Sequence, residues 1–205
     1  MTHRALLLLM LLGAACSGKA GTAALATTDS VSWRKPGDVV DSIFPMAEYE
    51  RRFRIGTDST ATIASSIGSR DALARTFLAA LARGDTATLA SLAISRSEFA
   101  WVIFPDHRYA APPYELDPAL FWRQITQANS KGISRALQRH RGKTLAFIAL
   151  SCQRDTLQML HGPTALWGPC SMKYRVNDST VTRQLFGTIV ERSGKMKFLS
   201  YANDF

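Results

Sequence analysis

Two stretches, "TLAFIALSC" over Thr144–Cys152 and "CSMKYRV" over Cys170–Val176, decide how the second half of this chain folds. They read as neighbouring antiparallel strands. Placing Cys152 opposite Cys170 sets Leu150 against Met172, Ile148 against Tyr174 and Ala146 against Val176. One face of the pair is then wholly apolar. A slip of one residue would bring Lys173 and Arg175 onto that face, so packing and a disulfide ask for the same register.

The period of two continues from this pair to the end of the chain. It predicts four strands, about Thr144–Gln153, Trp167–Val176, Arg183–Arg192 and Lys195–Asn203, with turns at Asn177–Thr180 and Ser193-Gly194. Upstream the period is helical. In "SRDALARTFLAALARGD", Ser69 is placed to cap a helix, Leu73, Phe77, Leu78 and Leu81 share one face, and Gly84 ends it. Asp85 caps a second helix with Leu89 and Leu92 inward. "SEFAWVIFP" is a short apolar third, closed by Pro105, and Asp117-Pro118 opens a fourth that runs to Gly142. Ahead of all these, "SIFPMAEYERRFRIG" predicts a short helix with Met46, Tyr49 and Phe53 on one side. Helices followed by an antiparallel meander give an α+β domain, with helices on one face of a curved sheet of about four strands.

"RDALARTFLAALARGDTATLASLAI" ahead of "FGTIVERSGKMKFLSY" resembles the nuclear transport factor-like superfamily, the cone-shaped α+β roll shared with ketosteroid isomerase and scytalone dehydratase. The span from Arg70 to Phe205 also resembles uncharacterised bacterial lipoproteins of that shape. The resemblance implies helices closing the mouth of a bent sheet, often over a cavity.

The N-terminus carries an address. Arg4, the apolar run Ala5–Leu12 and the small residues Gly13-Ala14-Ala15 form the n-region, h-region and cleavage pattern of an export signal, and the run is far short of the roughly 20 residues that span a bilayer. Cys16 resembles the lipobox cysteine of bacterial lipoproteins, although Gly13 stands where leucine is usual. A plain secretory signal is the alternative, and both export the protein. Residues 1–15 are thus expected to be a signal peptide, 16–30 a flexible small-polar tether, and 31–205 a single domain with its core over 69–205. The expected location is the periplasmic or outer side of a bacterial envelope, membrane-anchored through the lipid on Cys16. Outside the reducing cytosol, Cys152 and Cys170 are expected to pair.

Few residues point to chemistry. "GKT" at Gly142-Lys143-Thr144 lacks the leading glycine of a phosphate loop, having Leu137 there, and no G-x-S-x-G occurs. His107, His140 and His161 show no metal-ligand spacing, so neither a metal nor a cofactor is expected. The isomerases and dehydratases resembled keep a carboxylate or histidine inside the cone, whereas the predicted strand interiors hold only Glu191. Asp106 and His107 beside the aromatic residues form the one acid/base candidate; the bland reading is a solvated loop after Pro105. Phe99, Trp101, Phe104, Tyr109 and Trp122 either line an apolar pocket or belong to the core.

The chain has 25 Lys and Arg against 16 Asp and Glu, a formal net charge of +9. Part of the excess forms a helical stripe of Lys131, Arg135 and Arg139, suited to anionic lipid or an envelope polymer, or simply a solvated face. An export signal argues against nucleic acid as the partner. The expected function is therefore non-catalytic: an envelope domain binding a small apolar ligand or a protein partner through a cone-type cavity. The alternative is a small lyase or isomerase using Asp106 and His107.

Overall fold

The computed structural model describes residues 43–155 and 162–205, all within one unit that runs from Ile43 to Phe205. The expected signal peptide, Cys16, the expected tether and His161 lie outside the described residues. Helix α1 spans Met46–Arg54, α2 Arg70–Arg83, α3 Thr86–Leu92, α4 Arg96–Glu98 and α5 Pro118–His140. The strands are β1 Leu145–Asp155, β2 Thr164–Val176, β3 Ser179–Arg183, β4 Thr188–Arg192 and β5 Lys195–Ser200. The fold is α+β: an open antiparallel sheet in the order β1-β2-β4-β5, with β3 also on β2, and helices packed against it.

The local signals place the helices. The Ser69 hydroxyl accepts the Ala72 N–H, Gly84 takes a left-handed φ of 67°, and the carboxylates of Asp85 and Asp117 cap α3 and α5. Leu73, Phe77, Leu78, Leu81, Leu89 and Leu92 are all buried. The apolar segment after α4 continues as a π-helical turn over Phe99–Ile103 and a 3₁₀ turn over Phe104–Asp106. The core also reaches upstream of Ser69, because Phe53 and Ile63 are buried in it.

Three features of the sheet differ from the expected pattern. First, Cys152 stands opposite Cys170 and Leu150 opposite Met172, but the ladder shifts at Ile148, so Phe147 faces Tyr174 and Leu145 faces Val176. Ile148 is 45 % exposed and points away from the helices, whereas Phe147 packs against the core. One inserted residue flips every side chain beyond it, which lets the larger Phe147 take the inward position.

Second, there are five strands rather than four: β3, Ser179–Arg183, begins inside the expected turn at Asn177–Thr180, and the expected strand Arg183–Arg192 starts only at Thr188, as β4. Leu185 and Phe186 are adjacent and both 1 % exposed. A strand sends neighbours to opposite faces, so burying both in the same cluster requires the chain to leave the ladder between β3 and β4. The long β2 pairs with β4 through Thr164–Trp167 and with β3 through Met172–Val176. Between these halves lies Gly168-Pro169, where proline has no N–H for either ladder.

Third, the sheet is covered on both faces at its β4–β5 end. Met172, Tyr174, Ile189, Met196 and Phe198 pack with α2 and α3 in one cluster. Leu166, Val190 and Leu199 pack in a second with Phe53, Phe99, Phe104 and Ile125, which come from α1, the turns after α4 and the first half of α5. Lys197 is buried with this second cluster's elements, its ammonium 3.0 Å from both carboxylate oxygens of Glu98. Glu98 in turn accepts the N–H groups of Ala64 and Ser95.

α5 joins the two clusters, with Ile125 in one and Ala136 in the other. Where the C-terminal segment crosses it, residue 132 must be glycine: a Cβ there would overlap the Tyr201 carbonyl. Asn129 clamps the crossing by accepting the Tyr201 N–H at 2.7 Å.

Candidate functional site

Between the first half of α5 and the second face of the sheet lies a cleft of about 320 Å³. α5 supplies Phe121, Gln124, Ile125 and Ala128, and the strands supply Asp155, Leu166, Thr188, Leu199 and Ser200. The loop after the 3₁₀ turn closes one side with His107 and Tyr109. Its size and largely apolar lining with a few polar groups match small-ligand sites, which run from about 300 to 1,000 Å³.

His107 is the polar residue most tightly built into it, at 2 % exposure. Its ring lies 4.9 Å, centroid to centroid, from both Tyr109 and Phe121. The backbone N–H of Tyr109 donates to Nδ1 at 3.2 Å. Burial drives the His107 pKa down to about 4, aided by Arg108 and opposed by Asp155. The imidazole is thus neutral at pH 7, and with Nδ1 accepting, its proton resides on Nε2. It is a hydrogen-bond donor.

Asp106 does not join it. Arg192 donates to Asp106 Oδ2 at 3.1 Å and to Thr164 Oγ1 at 2.7 Å, so the carboxylate ties the 3₁₀ turn to β2 and β4. The acid/base pair read from the sequence consists of neighbours with different partners, and His107 is buried rather than in a solvated loop. Of the five aromatic residues singled out, Tyr109 lines the cleft. Phe99 and Phe104 are fully buried behind it, and Trp122 packs against Phe99 at 5.2 Å. Trp101 turns toward the 54–57 segment, its indole N–H bonded to Thr57 and Arg54 stacked on its ring.

The basic stripe divides. Lys131 and Arg135 line a neighbouring groove of about 360 Å³ with Gln124, Gln127, Ala128, Gly132, Ala202 and Asn203. Arg139 instead stacks on the Phe205 ring at 4.6 Å and borders a third hollow with Lys143 and Arg183. At that hollow, the Tyr174 hydroxyl donates to His140 Nε2 at 2.8 Å while His140 Nδ1 donates to the Ala136 carbonyl at 2.9 Å. Burial lowers the His140 pKa and raises that of Tyr174.

Sequence reasoning missed Asp155, Gln124 and the Tyr174–His140 and Lys197–Glu98 pairs, because each depends on segments far apart in the chain. For Lys197 a signal existed: a lone cation inside "MKFLS", a run otherwise buried on both faces, requires a buried counter-charge. Among the described residues no group of three or more His, Cys, Asp or Glu side chains gathers to hold a metal. Compared with family models, curated proteins and solved structures, the chain matches none.

Proposed function

We propose that this protein is a non-catalytic binding domain, exported and anchored in the cell envelope, that holds a small and largely apolar ligand in the cleft between α5 and the sheet. One observation carries the ligand reading: a cleft of about 320 Å³ with a mainly apolar lining, walled on one side by the buried His107, lies between α5 and the sheet and suits a small ligand with an apolar body. The same geometry favours binding over proton transfer. Nδ1 is occupied by a backbone N–H and Nε2 already carries the proton, so neither nitrogen is set to accept one, and Asp106 is held by Arg192.

The disulfide between Cys152 and Cys170 supports export, since such bridges persist in oxidising compartments. The Cys16 lipobox supplies the anchor. Among the described residues no helix is long and apolar enough to cross a membrane.

Two measurements test these statements. Nile red, an uncharged apolar dye, should bind the purified protein saturably at about one site, and Ala128→Trp, which fills the cleft, should abolish that binding; unsaturable binding, or binding unchanged in the variant, would count against the cleft. Cys16→Ser should release the protein from membranes, and unchanged membrane partitioning would remove the anchor.

A further inference from the structure

The cleft beneath the first half of α5 and the basic groove beside it share two lining residues, Gln124 and Ala128. They are therefore neighbouring parts of one track along α5. Its two ends differ in chemistry. Phe121, Ile125, Leu166 and Leu199 make one end mainly apolar, with Asp155 the one carboxylate in its lining, whereas Lys131 and Arg135 make the other cationic, with no carboxylate in its lining.

Neither cation is spent among the described residues. Among the described residues Lys131 and Arg135 form no salt bridge, and both are exposed on the helix surface. From Phe121 to Lys131 the helix advances about 15 Å at 1.5 Å per residue, the length of a single extended alkyl chain rather than of a compact ring system.

Resting on the cleft reading above, we infer that the ligand is a single-chain anionic amphiphile, with its alkyl body against Phe121, Ile125 and Leu199 and its anionic head at Lys131 and Arg135. A neutral apolar molecule would use only the first half of this track. A small inorganic anion would use only the second.

The test compares dodecanoate with dodecanol, each as monomer, by calorimetric titration of the full-length protein at low salt. Dodecanoate should bind at least about tenfold more tightly, a difference of about 1.4 kcal/mol. The double variant Lys131→Glu/Arg135→Glu should remove that preference while leaving dodecanol binding and the thermal midpoint unchanged, and rising salt should weaken dodecanoate alone. Arg123→Glu, a single reversal at an exposed α5 position outside both hollows, serves as the control for long-range charge effects and should retain the preference. Equal affinities for the two probes, or a preference surviving in the double variant, would overturn the head-group assignment while leaving the cleft itself standing. If neither probe binds, the cleft reading fails and the amphiphile with it.

Discussion

At the scale of single residues, His107 couples the candidate site to pH. In the unfolded chain its imidazole titrates near its ordinary 6.5, whereas burial in the fold brings the pKa to about 4. Between those values the unfolded state binds more protons, so stability is full above about pH 6.5 and is lost as pH falls toward 4. The loss is on the order of 3 kcal/mol at 1.36 kcal/mol per pKa unit. His140, also lowered by burial, acts in the same direction. Urea unfolding at pH 7 and pH 4.5 should therefore show a smaller acid-induced loss in His107→Phe than in the parent. Equal losses in the two proteins would mean that His107 is not held neutral by the fold.

At the scale of elements, the β1–β2 pair sets the sheet. Its register is fixed at one end by the Cys152–Cys170 bridge, which closes a segment of sequence separation 18. Beyond Ile148 the bulge resets it, so the bridge governs Leu150 and Met172 while Phe147 and Tyr174 are aligned by packing against the helices. Replacing both cysteines with alanine should lower stability by about 2–4 kcal/mol through the freed unfolded chain. The bulge should survive, because apolar burial rather than the disulfide holds Phe147 inward. Denaturant titration checks the first statement, and amide exchange along β1 checks the second: loss of protection at Leu145–Phe147 as great as at Leu150–Cys152 would show that the bridge aligns the whole strand.

At the scale of the molecule, the two-sided cover over β4 and β5 turns a sheet with one wet face into the wall of a cleft. The Lys197–Glu98 pair pins that cover, linking β5 to a helix 99 positions earlier in sequence, while Glu98 also accepts N–H groups of Ala64 and Ser95. Lys197→Met should cost about 3–5 kcal/mol, because it strands a buried carboxylate; a thermal midpoint within a degree or two of the parent would show the pair to be dispensable. The sequence by itself determined the helix starts and stops, the strand-rich second half, the pairing of Cys152 with Cys170 and the α+β class. These rest on caps, periodicity and side-chain size within a few residues, so a local reading reaches them. Only the tertiary structure decided that Asp106 turns to Arg192 while His107 turns to the cleft, that Phe147 rather than Ile148 faces inward, that Leu185 and Phe186 leave the ladder between β3 and β4, and that Lys131 and Arg135 part company with Arg139. In each case the outcome was set by a competition for buried space or for a distant partner, and the separation along the chain, 86 residues for Asp106 and Arg192, hides such partners from any local pattern.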